Sequence, residues 1–169
     1  MIPNIFILLG VAAVGKTTLG RALADATGGI FFDCDDFHSV SNREKMAAGI
    51  PLTDADRKDW LEAIAKLIMD HSNESAPTFI ACSALKQSYR NILISAHPSL
   101  AFLFLTARPE TLRQRITSRY ESGEHFMPPS LLDSQLATLE PPADALELDS
   151  SKPISELISL IKEKYPALA

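Results

Sequence analysis

Gly10-Val11-Ala12-Ala13-Val14-Gly15-Lys16-Thr17 fits the pattern G-x-x-x-x-G-K-[ST], and it stands between an apolar run at 5–9 and a segment of helical pattern at 17–26. No other stretch limits the architecture so strongly. A loop of this kind wraps a polyphosphate by aiming successive backbone N–H groups inward, and the helix that follows adds the positive end of its dipole. It needs a strand to enter it and a helix to leave it, so an α/β chain is expected. Lys16 is then placed to reach the β- and γ-phosphates and Thr17 to ligate Mg²⁺, with Thr18 closing the nucleotide-binding set that begins at Gly10.

Further apolar runs at 29–32, 78–82, 101–105 and, more weakly, 145–148 suit strands covered on both faces. Between them lie helical patterns at 54–71, 86–96, 109–121, 130–139 and 154–165. Their punctuation agrees: Gly28 follows the first helix, Thr53 can cap ahead of Asp56, and Pro109 and Pro153 sit where a first helical turn tolerates proline. Strand and helix in alternation predict a parallel sheet with helices on both faces. The length of 169 residues fits one domain spanning 1–169. Two stretches, 33–53 and 122–129, resist regular assignment. Ligands bind beyond the carboxyl ends of strands in such sheets, so the first is the expected substrate site and the second, at about 120–129, the expected lid.

The chain is 46% apolar and 22% charged with a net charge of −5. Affinity for nucleic acid comes mainly from clustered cations that neutralise phosphates, and no basic stretch stands out, so no nucleic-acid partner is expected. Cys34 and Cys82 are too few and too far apart for a disulfide framework or a zinc site, and read as buried thiols at strand ends. The apolar run at 5–9 is too short for a membrane span or a signal segment, which leaves no membrane partner and a cytoplasmic location as the expectation.

Three groups of residues carry chemistry. Asp33 and Asp35, in Asp33-Cys34-Asp35-Asp36-Phe37-His38, close the second strand beside the phosphate loop. One carboxylate there can hold the metal's water shell and the other can accept a hydroxyl proton as that oxygen attacks phosphorus. Lys86 and Arg90 stand four apart at the start of the helix after the third strand, where two cations oppose the helix dipole unless an anion joins them. Arg57 can add a cation to the same pocket. Arg115 and Arg119, also four apart, sit just before the lid and can swing over a transferring phosphoryl group to balance its charge.

Phe32-Asp33-Cys34-Asp35, His38, Asn42-Arg43-Glu44-Lys45-Met46-Ala47-Ala48-Gly49, Pro51-Leu52-Thr53-Asp54-Ala55-Asp56-Arg57-Lys58-Asp59-Trp60-Leu61, Cys82-Ser83-Ala84-Leu85-Lys86-Gln87-Ser88-Tyr89-Arg90 and Thr138-Leu139-Glu140-Pro141 together resemble the gluconokinase family. The resemblance runs in order along nearly the whole chain. It implies a three-layer, nucleoside-monophosphate-kinase-like P-loop fold with a five-stranded parallel sheet, dependence on ATP and Mg²⁺, phosphorylation of D-gluconate to 6-phosphogluconate, and commonly a homodimer. On this reading Thr17 and, through water, Asp33 hold Mg²⁺, and Asp35 orients the attacking 6-hydroxyl. His38 adds a hydroxyl contact, and some combination of Arg57, Lys86 and Arg90 pairs with the carboxylate. The adenine meets Asp149-Ser150-Ser151-Lys152-Pro153.

One departure stands out. The family's loop usually reads G-V-S-G-S-G-K-[ST], whereas this chain carries Ala12, Ala13 and Val14 at the inner positions. Losing the middle glycine restricts the dihedrals at Ala13, and losing both serines removes hydroxyl donors to phosphate. Two alternatives stay open. A shikimate-kinase-like enzyme would share Gly15-Lys16-Thr17-Thr18 and the paired aspartates, although the glycine triplet it needs after the third strand is replaced by Cys82-Ser83-Ala84-Leu85-Lys86. A non-catalytic ATP-binding homologue would have lost turnover while keeping the loop.

Overall fold

The computed structural model describes residues 2–124 and 127–168. Five strands, β1 (Ile5–Leu9), β2 (Ile30–Asp33), β3 (Thr78–Ala81), β4 (Ala101–Thr106) and β5 (Leu146–Asp149), form one parallel sheet in the order β2-β3-β1-β4-β5. The chain first builds leftward from β1 and then rightward, so the direction of winding reverses beside β1, where an open sheet leaves a crevice at its carboxyl edge.

Both faces of the sheet are covered, and β1 shows how. Ile5, Ile7 and Leu9 point to one face with Trp60, Leu61, Ile64 and Ile68 of α3 (Asp54–His71) and Leu93 of α4 (Gln87–Ala96). Phe6 and Leu8 point to the other, against Leu19 and Leu23 of α1 (Lys16–Thr27) and the C-terminal helix Ile154–Lys164. The period-two alternation of a strand thus feeds two separate cores, which is why β1 reads as a continuous apolar run. Every β1 side chain is nearly or fully buried. Burying each such side chain stabilises by about 1.5–3 kcal/mol, so this one strand anchors both layers.

The remaining helices follow their signals. Gly28, in the left-handed region, ends α1 by donating its N–H to the Ala24 carbonyl. Thr53 and Asp56 form a reciprocal capping box at the start of α3. Pro109 opens α5 (Pro109–Glu121), and α6 (Ser130–Thr138) precedes β5; the C-terminal helix is α7.

The stretch at 33–53 is more regular than expected. A short 3₁₀ turn covers Cys34–Phe37, and α2 (Val40–Ala47) follows, its start capped by the Ser39 hydroxyl accepting from Asn42 N–H. α2 buries only Asn42 and Met46, so it carries almost no apolar periodicity to read. In the expected lid, residues 120–124 and 127–129 are described, and His125 and Phe126 lie outside the described residues. No helix among the described residues is long and apolar enough to cross a membrane.

Candidate active site

The phosphate loop hangs from the carboxyl end of β1 and runs into α1. A side chain at Gly10 (φ +146°) would place its Cβ 2.7 Å from Val14 Cγ1 and 2.9 Å from the Leu105 carbonyl, so the loop cannot fold back at this point with any other residue. Ala13, at φ +63°, is the one non-glycine residue with positive φ among the described residues. Alanine in that region costs about 1–2 kcal/mol relative to the right-handed form, which is the restriction expected from losing a glycine there. The turn is held from three directions. Lys16 Nζ donates to the Gly10 and Val11 carbonyls, each at 2.9 Å, and Ala12 N–H donates to Gln135 Oε1 at 2.7 Å. Arg115 Nη1 reaches the Ala13 and Val14 carbonyls at 3.4 Å and Ser150 Oγ at 3.2 Å.

β2 delivers the two aspartates. The parallel register pairs Asp33 with Ala81, which sets Asp33 at the carboxyl edge level with the loop. Its Oδ2 accepts from Thr17 Oγ1 at 2.8 Å, and its Oδ1 accepts from Asp35 N–H at 3.0 Å, capping the 3₁₀ turn. That cap fixes where Asp35 points. Burial, reinforced by the charge of Asp33, pushes the Asp35 carboxyl up to about 6, with Lys16 and Arg43 pulling the other way. Burial likewise lowers Lys16, opposed by the charges of Asp35 and Asp33. A carboxylate poised near neutrality beside a phosphate-loop lysine suits a general base.

These groups line a cavity of about 450 Å³ that also takes in Arg43, Arg119 and Gln135. A second cavity, of about 660 Å³, lies on the far side of the loop among Leu105, Arg115, Ser150, Lys152 and Pro153. The two share Ala13, Gly15, Thr18 and Arg119, so the loop forms the seam between them. Arg119 faces both cavities, whereas Arg115 lines only the second and spends its guanidinium on loop carbonyls and Ser150.

The expected carboxylate-binding set is not brought to the first cavity. Arg90 is 1% exposed and donates to the carbonyls of Ala84, Leu85 and Glu140 and to Gln87 Oε1. The anion that a helix start bearing two cations calls for is supplied by the chain itself, since Glu140 Oε2 accepts from the Gln87 N–H at 2.6 Å. Lys86 pairs with Asp54 at 2.8 Å, and Arg57 donates to the Leu52 carbonyl and Tyr89 OH. His38 is buried with its ring stacked on Trp60, centroids 4.6 Å apart, and its pKa falls to about 4 through burial and then the charges of Arg57 and Arg43. It too lies outside the cavity lining.

Two lining residues, Arg43 and Gln135, are not among the expected site residues. Arg43 comes from α2, where its Nη2 donates to the Asp35 carbonyl at 2.8 Å. Gln135 comes from α6, 123 residues from the amide it holds. Neither sits in a recognisable spacing relative to the phosphate loop, because tertiary packing alone unites them.

Comparison with known proteins supports the same picture. An AAA domain family model matches residues 5–142. A probable gluconokinase of Mus musculus is 35% identical over 95% of this chain and 97% of its own length. A gluconokinase from Sinorhizobium meliloti 1021 is 38% identical with a TM-score of 0.80, covering 99% of this chain and 92% of that one. A sugar kinase from Janibacter sp. HTCC2649 is 39% identical with a TM-score of 0.87, covering 99% and 96%. Shikimate kinase from Aquifex aeolicus vf5, at 16% identity and a TM-score of 0.55, shares the fold alone. With the phosphate loop, the paired aspartates and the five-stranded parallel sheet in place, the chain belongs to the gluconokinase family of AAA-type P-loop kinases.

Proposed function

We propose that this protein transfers the γ-phosphoryl group of ATP to the 6-hydroxyl of D-gluconate. The observation that carries the reading is the first cavity, in which Lys16, Asp33 and Asp35 converge on the phosphate loop while Arg43 and Arg119 supply positive charge from two other elements. The second cavity, rimmed by Ser150, Lys152 and Pro153, is the place for the adenosine moiety, and the loop between carries the phosphates. Asp35 accepts the proton of the attacking hydroxyl, and Lys16 and Arg119 balance charge on the transferring group.

Mg²⁺ fits the residues present. No cluster of three acidic, histidine or cysteine ligands exists among the described residues, but Mg²⁺ in kinase sites keeps several waters and takes one or two protein ligands besides the phosphates. Thr17 and Asp33, already joined at 2.8 Å, would hold it, and its charge would offset that of the phosphates. The gluconate carboxylate is assigned to Arg43, in place of Arg57, Lys86 and Arg90, because Arg43 lines the cavity against Asp35 from outside the phosphate loop, whereas Lys16 is held by the loop's own carbonyls. A homodimer and a cytoplasmic location, with Cys34 and Cys82 as free buried thiols, complete the reading.

The test is an ADP-release assay over gluconate, sorbitol and shikimate. Sorbitol keeps the hydroxyl chain without the charge, so a site whose cation pairs with a carboxylate loses a charged hydrogen bond on binding it. Gluconate is expected to exceed sorbitol in kcat/KM by at least about a hundredfold, with shikimate inert. Comparable turnover of sorbitol would remove the carboxylate pocket, and efficient turnover of shikimate would move the protein to the other reading.

A further inference from the structure

Among the described residues, a contact between Ala12 and Gln135 ties a backbone amide of the phosphate loop to the helix that follows the lid segment. Ala12 N–H donates to Gln135 Oε1 at 2.7 Å, shorter than the bonds that Lys16 and Arg115 make to the loop carbonyls. A carboxamide has an acceptor end and a donor end, so an oxygen on Ala12 turns the amino group the other way. There Gln135 Nε2 lies 3.8 Å from Met127 Sδ, in the segment that leads into α6. Leu131 and Leu132, buried one turn earlier on the same helix, fix the direction from which Gln135 approaches. The chain thus runs a continuous contact from residue 127, through one side chain, to the third residue of the phosphate loop.

The placement of Ala12 gives this contact a purpose. Ala12 lines the acceptor-side cavity only, whereas Ala13 and Gly15 line both. Gln135 therefore grips the loop on the side of the attacking hydroxyl, while Arg115 grips it on the nucleotide side through the Ala13 and Val14 carbonyls. Between the two grips stands Ala13 in the left-handed region, where the chain pays in strain for a turn that glycine would make freely. We propose that Gln135 is a positioning residue for phosphoryl transfer: its side-chain oxygen holds the Ala12 amide so that the loop presents the γ-phosphoryl group in line with the acceptor. The proposal rests on the kinase reading above, and acts through the loop rather than by touching the reacting atoms. In-line transfer is sensitive to displacements of about 1 Å, so a loop free to shift loses rate more than substrate affinity.

Two variants separate the hydrogen bond from the bulk of the side chain. Gln135→Met keeps length and removes both polar ends, and Gln135→Glu keeps an oxygen for Ala12 while adding charge. For Gln135→Met, the expected result is a kcat lowered about tenfold and ATP binding without any sugar acid weakened about fivefold, with the gluconate KM and the melting temperature little changed. Gln135→Glu is expected to keep kcat within about threefold of the parent and to raise the ATP KM, because the oxygen survives and the charge repels phosphate. Near-parental kcat and ATP affinity in Gln135→Met would overturn the proposal. So would equal losses of kcat in both variants, or a loss matched by a drop in melting temperature, each of which marks a packing role. The ATP titration reads the tie with no acceptor present, so a parent enzyme that fails to phosphorylate gluconate would sink the proposed function and leave this test standing.

Discussion

Asp35 sits where its own ionisation is unfavourable, and that has opposite consequences for rate and for stability. Its pKa in the folded protein is about 6, raised from the ordinary 3.8 by burial and by Asp33. A general base must be unprotonated, so kcat/KM should rise with pH through about 6 and level off above it. The stability runs the other way: between about pH 4 and 6 the folded state holds a proton that the unfolded chain releases, so folding weakens as pH rises across that window. Asp35→Asn should therefore abolish turnover yet raise the melting temperature at pH 7, by a free energy on the order of 2–3 kcal/mol, with the gain vanishing towards pH 4. Thermal denaturation of the two proteins at both pH values decides it. Unchanged stability at pH 7 would mean that Asp35 is better solvated than its burial indicates. Ala13 is the second residue at this scale where a cost is visible: the sequence showed that its dihedrals are restricted by the loss of a glycine, and the structure adds that it nevertheless stands in the left-handed region.

At the scale of elements, α2 and α4 are held by contacts that their sequences do not advertise. α4 begins with a cluster of cations that looks like an anion site, and the anion proves to be Glu140, drawn in from the strand-bound loop before β5. Helix-dipole reasoning correctly demanded a negative partner, but nothing in the spacing says whether the partner is a ligand or another part of the chain. α2 was invisible because an amphipathic signal needs apolar residues, and this helix holds its place with polar bonds instead: Asn42 to the Asp56 carbonyl, Lys45 to the Asp56 carboxylate, and Arg43 to the Asp35 carbonyl. By contrast α3 and α5 match the expected bounds, since a buried stripe or a proline start marks each one. The two arginines offer a direct comparison. Arg43→Ala should raise the gluconate KM by at least about tenfold, the worth of one charged hydrogen bond, and leave the ATP KM nearly unchanged. Arg90→Ala should do the reverse, destabilising by about 3 kcal/mol because three carbonyls lose their buried partner, with gluconate KM intact in the protein that remains folded. Steady-state kinetics and a melting curve on each variant read both outcomes, and a gluconate KM that responds to Arg90 instead would return the carboxylate to α4.

Across the whole molecule, the parallel sheet was the most legible feature, because five short apolar runs can be buried on both faces in few ways. The strand order was not, since it depends on which neighbour each crossover finds, and β1 ends between β3 and β4. That central position sets a hierarchy of opening. β1 is bonded on both edges and buried on both faces, whereas α2 is eight residues long and buries two of them. Local opening follows such differences, so amide hydrogen exchange should be fastest in α2 and slowest in β1, by several orders of magnitude, and comparable rates in the two would contradict this ordering. The phosphate loop is attached to the part that opens last, and Arg43 to the part that opens first. Warming or mild denaturant should therefore yield a protein that has let go of its sugar acid while still gripping ATP, so that failure under stress begins as a loss of selectivity for the acceptor.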